Sequence, residues 1–151
     1  MLNQSAPDFE LMDSAGNLVR LSNYLGKKIV IYFYPKDETP GCTIEAIDFS
    51  KLNEEFAKQN AIVFGISKDS CESHALFSKK QNLSVILLSD PESEVQKKYG
   101  VWKPIKFMGR EFLGTKRTTF LINENGKIIK IWDSVNPVGH AKAVLEEVKK
   151  L

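Results

Sequence analysis

The sequence has only two cysteines among its 151 residues, Cys42 and Cys71, too few for a disulfide framework. Neither belongs to a C-x-x-C redox motif, and no Cys/His cluster has the spacing of a zinc site, so we expect no metal and no other cofactor. In a reducing compartment such cysteines are either buried and inert or used in chemistry, and inert burial is the more common case.

Long hydrophobic runs and charge of one sign are also missing. No apolar stretch approaches membrane-spanning length, and residues 1–13 lack the basic and then apolar pattern of a secretory signal, so we expect a cytoplasmic protein that binds no membrane. The formal net charge is only +2 and the lysines are scattered, which argues against a nucleic-acid partner. Without repeats, linkers or low-complexity tracts, residues 1–151 are predicted to form a single domain.

What the chain does contain is an alternation of apolar runs and helical patterns. Predicted strands at 29–34, 61–66 and 85–88 are followed by predicted helices at 42–59, at about 70–81 with Asp69 and Glu72 as a capping box, and at about 91–99. A hairpin over 118–134 and a helix over 138–151 close the chain, while 101–114 show no period and are interpreted as a loop with exposed aromatics. With a short hairpin and a helical turn in residues 1–28, this order predicts an α/β, thioredoxin-like fold: a central mixed sheet flanked by helices, with an N-terminal extension.

Cys42 lies where the first central strand passes through a Pro- and Gly-containing loop into a helix. Thr39 suits the N-cap position, Pro40 the first helical position, and Gly41 would let a substrate approach the backbone. The first turn of a helix leaves N–H donors unpaired and favours negative charge, so a thiol there ionises more readily. The alternative is an ordinary capped helix whose first turn happens to hold a cysteine.

The string YFYPKDETPGCTIEA, residues 32–46, closely resembles the peroxiredoxin signature Pro-x-x-x-Thr/Ser-x-x-Cys, in the version of the peroxiredoxin Q or bacterioferritin comigratory protein subfamily. The resemblance covers nearly the whole chain. It continues in blocks at 6–9, 21–26, 67–74, 88–91, 99–101, 117–122 and 139–140.

The resemblance implies a thiol-dependent peroxidase that uses no metal or prosthetic group. Cys42 would be the peroxidatic cysteine, whose thiolate attacks the O–O bond of hydrogen peroxide or an alkyl hydroperoxide and becomes a sulfenic acid. Thr39 would accept a hydrogen bond from the peroxide, and Pro35 would shield the sulfur from solvent. Arg117 would stabilise the thiolate and hold the peroxide oxygens, with Glu45 orienting it. The implied reductant is thioredoxin or a similar thiol, and the implied state is a monomer.

Without the resemblance, Arg117 and Glu45 have simpler explanations. Arg117 would cap the edge of a strand, and Glu45 would be an ordinary carboxylate on a helix surface. His74 and His140 are expected to be structural, because a thiolate needs no histidine base once it has formed.

How the sulfenic acid is recycled is left open. Many members of the subfamily carry a resolving cysteine five residues after the peroxidatic one, where this chain has Ile47, and others carry one near position 78, where it has Ser78. Cys71 would emerge at the same end of the sheet as Cys42, but two rigid helix starts are usually too far apart for a disulfide. Either Cys71 resolves, or an external thiol attacks directly in a one-Cys enzyme. Because Cys71 is also predicted in the first turn of a helix, it is a rival nucleophile.

Two other functions are compatible with a reactive cysteine. One is a peroxide sensor that passes its oxidation to a partner protein through a mixed disulfide. The other, a thiol–disulfide oxidoreductase, is disfavoured because no C-x-x-C is present.

Overall fold

The fold is built on one large sheet and a separate two-stranded ribbon. The computed structural model describes residues 1–151 except for the side chain of Phe107, whose predicted exposure therefore lies outside the described residues. In chain order the elements are β1 (Glu10–Asp13), β2 (Leu18–Arg20), a 3₁₀ turn (Leu21–Tyr24), β3 (Lys28–Phe33), α1 (Pro40–Lys51), α2 (Asn53–Lys58), β4 (Ala61–Ser67), α3 (Cys71–Gln81), β5 (Ile86–Ser89), α4 (Glu94–Lys98), β6 (Trp102–Phe107), β7 (Arg110–Thr115), β8 (Thr118–Ile122), β9 (Ile128–Trp132) and α5 (His140–Lys149).

The large sheet is mixed, as predicted. Its seven strands run in the order β2-β1-β5-β4-β3-β8-β9. β3, β4 and β5 are parallel, whereas β8 pairs antiparallel with β3, and β1 antiparallel with β5. This thioredoxin-like arrangement brings the carboxyl ends of β3 and β4 to one edge, where sites form in α/β sheets.

The central strand β3 is buried on both faces. All six of its residues are buried, and successive side chains enter two different hydrophobic clusters. On one face Val30 and Tyr32 pack with Phe49 of α1 and Val144 of α5, while on the other Phe33 packs among residues of the N-terminal extension and β8. A strand packed on both sides is a rigid base for the loop that leaves it at Tyr34.

Helix boundaries differ from the prediction. The helix expected at about 91–99 is shorter, since α4 covers only Glu94–Lys98. The helix expected over 42–59 begins at Pro40 and is divided into α1 and α2 at Leu52, whose φ of −95° and ψ of 3° lie outside the helical range. The N-cap of α3 is Ser70, whose hydroxyl accepts the Ser73 N–H at 3.1 Å, so the predicted capping box at Asp69 was wrong. Asp69 instead accepts hydrogen bonds from the Asp37 N–H and from the hydroxyl of Ser67 at the end of β4.

The interpretation of residues 101–114 as a loop was wrong. They form most of the antiparallel ribbon β6–β7, closed by Met108 and Gly109 at φ values of 52° and 77°, the conformation of a tight two-residue hairpin turn. Pro104 within β6 weakened the strand pattern, yet an edge strand tolerates proline because no further strand needs its N–H.

Among the residues described, no helix has the length and apolar character needed to cross a membrane.

Candidate active site

Cys42 lies in the first turn of α1, and its side chain is only 1% exposed. Pro40 occupies the first helical position, as predicted. The first hydrogen bond of the helix runs from the Thr43 N–H to the Thr39 carbonyl at 2.9 Å. The N–H groups of Gly41 and Cys42 precede that bond, so this turn can stabilise an anion such as a thiolate.

Arg117, which directly precedes β8, contacts Cys42, which follows the neighbouring strand β3. Its Nη2 donates to Cys42 Sγ at 3.2 Å, and its Nη1 donates to Glu45 Oε1 at 2.7 Å. The antiparallel pairing of Phe33 with Thr118 explains the meeting, because it places the start of β8 beside the end of β3. One guanidinium thus bridges the sulfur and a carboxylate that are three residues apart on α1.

Glu45 is fully buried under this guanidinium. Burial raises the pKa of Glu45 to about 7, although the positive charge of Arg117 and its hydrogen bond act in the opposite direction. Glu45 Oε2 has no hydrogen-bond partner within the described part of the chain. The predicted surface-carboxylate alternative is therefore wrong, and Glu45 is placed to orient Arg117.

We expect Glu45→Gln to change the pH dependence of stability. A carboxyl whose pKa rises from 4.5 to about 7 on folding binds its proton more tightly in the folded state, so the wild type loses stability as pH rises between these values. The melting temperature of the wild type minus that of Glu45→Gln should fall by on the order of 5 °C between about pH 5 and about pH 8 in thermal melts followed by circular dichroism. A difference that grows with pH would mean that Arg117 dominates over burial.

Thr39 uses its hydroxyl differently from the capping role expected of an N-cap residue. Its backbone is extended, with φ −78° and ψ 153°, but its side chain makes no capping bond. Oγ1 instead donates to the Lys36 carbonyl at 2.8 Å. Because the hydroxyl hydrogen is committed to that carbonyl, the oxygen's lone pairs are left to accept a hydrogen bond from another group.

Gly41 provides room for Arg117. A Cβ at this position would lie 3.2 Å from Arg117 Nη2 and 3.3 Å from Pro137 Cγ, tighter than ordinary contact. Gly41 was expected to leave this space to substrate, whereas the guanidinium fills it. Pro137 was not expected at the site; its segment is held there by the hydrogen bond from the Val135 N–H to the Arg117 carbonyl at 2.9 Å. No sequence signal marked Pro137, because its role depends on tertiary packing.

A cavity of about 900 Å³ opens between residues 34–39, which join β3 to α1 and are called the catalytic loop below, and the β6–β7 ribbon. Thr39 and Arg117 line it, and Arg117 also contacts Cys42. Its apolar lining consists of Pro35, Trp102, Pro104, Ile105 and Phe112. Pro35, which was expected to shield the sulfur, is itself exposed and forms part of this wall.

Cys71 begins α3, is half-buried and forms no disulfide with the buried Cys42. The parallel pairing of β3 with β4 brings the helices that follow these strands to the same end of the sheet, as expected. The role of Cys71 in resolution stays a prediction.

The two histidines make structural hydrogen bonds. His140 Nε2 lies 2.8 Å from Thr119 Oγ1, and burial together with the charge of Arg117 lowers the pKa of His140 to about 4, so its imidazole is neutral at pH 7. His74 is fully buried and contacts the carboxylate of Asp37, a loop residue that the sequence analysis passed over. Both Asp37 and His74 stand in the sequence blocks that carried the resemblance, which was the one available signal.

Comparisons with known proteins agree with this geometry. Residues 2–131 match the AhpC/TSA family. The chain is 45% identical over 150 residues to Peroxiredoxin Bcp of Bacillus subtilis (strain 168), covering 99% of this chain and 96% of the relative. It is 38% identical over 145 residues to Peroxiredoxin Bcp of Escherichia coli (strain K12), covering 96% and 93%.

Solved structures extend the likeness to three dimensions. A structure of Xanthomonas campestris bacterioferritin comigratory protein, described for its alkyl peroxide reduction activity, superposes with a TM-score of 0.90 at 40% identity, over 94% of this chain and 90% of that one. A Cys-to-Ser variant of Xylella fastidiosa PrxQ gives a TM-score of 0.94 at 34% identity, over 99% and 96%. The chain therefore belongs to the AhpC/TSA family and, within it, to the peroxiredoxins of the Bcp or Q type, which are thiol peroxidases.

Proposed function

We propose that Cys42 is the peroxidatic residue of this thiol peroxidase and that it reduces hydrogen peroxide and alkyl hydroperoxides. The observation that carries the proposal is the contact of 3.2 Å between Arg117 Nη2 and Cys42 Sγ in the first turn of a helix. Cys71 has no comparable partner among the hydrogen bonds of the described residues, which favours Cys42 over its rival.

The chemical step is a two-electron transfer from sulfur to peroxide. The Cys42 thiolate attacks one peroxide oxygen, the S–O bond forms as the O–O bond breaks, and the other oxygen leaves as water or an alcohol after taking a proton. Arg117 stabilises the thiolate and then the charge that develops on the departing oxygen. Thr39 accepts a hydrogen bond from the peroxide, since its own hydrogen is held by the Lys36 carbonyl.

The resulting sulfenic acid is reduced by thiols. A first thiolate attacks the oxidised sulfur and expels water, and a second displaces Cys42 to leave a disulfide on the reductant. Thioredoxin is the proposed reductant, acting on a monomeric, single-domain enzyme in the cytoplasm, where thiols are kept reduced. Non-reducing mass spectrometry after peroxide treatment separates the two recycling routes: a Cys42–Cys71 disulfide means a two-Cys enzyme, and oxidised Cys42 with free Cys71 means a one-Cys enzyme.

The apolar cavity supports organic hydroperoxides as substrates. Its walls can cover a hydrophobic group while Thr39 and Arg117 receive the peroxide oxygens. Hydrogen peroxide gains nothing from these walls, because it has no apolar surface to bury.

We expect Trp102→Ala to separate the two substrates. Removing part of the apolar wall should raise KM for cumene hydroperoxide roughly fivefold, corresponding to about 1 kcal/mol for about 40 Å² of lost apolar contact, and leave the reaction with hydrogen peroxide nearly unchanged. Leu113→Ala is the matched control, because Leu113 lies on the same ribbon and is 61% exposed. Equal effects of Trp102→Ala on both peroxides would mean that the ribbon does not contribute to binding of the organic substrate.

Steady-state turnover tests the proposed function directly. Peroxide consumption coupled to thioredoxin and thioredoxin reductase should be catalytic, with many turnovers per protein. Rapid oxidation of Cys42 without turnover would favour the peroxide sensor instead.

A further inference from the structure

A buried polar network anchors the catalytic loop at Asp37, between Pro35 and Thr39. The Asp37 carboxylate receives three hydrogen bonds from side chains. Tyr34 Oη donates to Oδ1 at 2.6 Å, and Ser73 Oγ and His74 Nδ1 contact Oδ2 at 2.8 and 2.7 Å.

Hydrogen bonding favours the ionised form of Asp37. Burial opposes ionisation of Asp37, but the hydrogen bonds from His74, Tyr34 and Ser73 outweigh it and hold the pKa of Asp37 below its ordinary value. His74 Nε2 lies 3.1 Å from the Leu88 carbonyl, which can only accept, so Nε2 carries a hydrogen. His74 thus joins the Asp37 carboxylate, through Nδ1, to the Leu88 carbonyl, through Nε2.

The groups in this network that could bind a metal already make hydrogen bonds. Asp37, Asp69 and His74 offer ligand atoms within 4.8 Å of one another, a spacing that could hold a metal ion. However, Asp69 Oδ2 already accepts from the Asp37 N–H at 2.9 Å and from Ser67 Oγ at 2.6 Å. Because each of these ligand atoms already has a hydrogen-bonding partner, internal hydrogen bonding explains why the three side chains cluster.

These bonds tie the catalytic loop to elements outside it. Ser73 and His74 belong to α3, and His74 reaches on to Leu88 in β5. Asp37 precedes Cys42 by five positions, so fixing Asp37 restricts where Cys42 can lie relative to Arg117. In this arrangement Cys42 is only 1% exposed, so a bulky reductant thiol has little access to its sulfur.

We propose that the hydrogen-bonded Asp37–His74 pair is a positioning device that holds the loop closed for attack on peroxide and restricts access of reductant to the oxidised Cys42. The proposal rests on the proposed role of Cys42. It makes Asp37 and His74 positioning residues, since neither contacts the reacting sulfur in the described hydrogen bonds. Weakening the pair should change the two half-reactions in opposite directions.

Two variants at Asp37, made with Cys71→Ser so that Cys42 is the only thiol, test the proposal. In Asp37→Ala we expect oxidation of Cys42 by hydrogen peroxide to slow on the order of tenfold, because a misplaced nucleophile loses alignment. Reaction of the sulfenic acid with dimedone and its reduction by dithiothreitol should each accelerate roughly threefold or more as the sulfur becomes accessible. In Asp37→Asn the amide can keep part of the hydrogen bonding of the carboxylate, so the rates of oxidation and of reduction should each fall between those of the parent and Asp37→Ala.

Asp90→Asn is the matched control. Asp90 is also a buried carboxylate, but it accepts the Val95 and Gln96 N–H groups at the start of α4 and lies outside the catalytic loop. Its loss should lower the melting temperature without opposite changes in the two rates. If Asp37→Ala does not fold, Asp37→Asn carries the test: slower oxidation with faster reduction supports the proposal, and any other pair of changes overturns it. Failure of the Cys71→Ser parent to form a sulfenic acid would instead overturn the role of Cys42.

Discussion

Cys42→Ser is expected to abolish peroxide reduction. A serine hydroxyl at the same position is not ionised at neutral pH and cannot form a sulfenic acid, so catalysis should fall by at least about a thousandfold. The buried site would otherwise be preserved, because serine is close to cysteine in size and can still accept a hydrogen bond from Arg117. Peroxide consumption with dithiothreitol as reductant measures the loss without depending on a protein reductant.

Cys71→Ser is the control for this loss. It should leave the rate of peroxide attack unchanged, since Cys71 lies at the start of a different helix, α3. Retained activity in Cys42→Ser together with loss of activity in Cys71→Ser would identify Cys71 as the nucleophile. Melting curves of both variants separate a chemical effect from unfolding.

Arg117→Ala should slow the peroxide step by a factor on the order of 100 or more. It removes the cation that contacts Cys42 Sγ and would stabilise the charge on the leaving oxygen, a kind of contribution that commonly has this size. Stopped-flow measurement of the second-order rate constant with hydrogen peroxide is the direct test. A loss below about threefold would mean that the helix terminus alone activates the thiol.

Arg117→Lys separates charge from geometry. The guanidinium uses Nη1 for Glu45 and Nη2 for Cys42, and a single ammonium group cannot reproduce this planar bridge. We therefore expect only partial recovery relative to Arg117→Ala. Full recovery would show that charge is sufficient and that orientation by Glu45 is unimportant.

Features governed by local sequence were predictable. The apolar run of β3 and the Thr39-Pro40-Gly41 turn located the helix start that carries Cys42, because strand and capping preferences act over a few residues. Arg117 could be connected with Cys42 only through the family resemblance, since their contact depends on the register between β3 and β8.

Features governed by tertiary packing were not predictable. The burial of Glu45 and the approach of Pro137 to Gly41 depend on how α1 and the segment after β9 settle around one guanidinium. The β6–β7 ribbon escaped detection for another reason. Its exposed strands carry apolar and charged residues without the alternation that a sheet with one buried face imposes.

The separation of the β6–β7 ribbon from the seven-stranded sheet has an evolutionary consequence. The ribbon forms a sheet of its own, while the reactive sulfur and its guanidinium are supported by β3 and β8. Substitutions in the ribbon can therefore reshape the cavity wall without disturbing the pairing that aligns the chemistry. The substrate range and the rate of the chemical step can therefore evolve independently in such an enzyme. A library of variants mutated only in the ribbon would change the substrate range and preserve the rate of the chemical step.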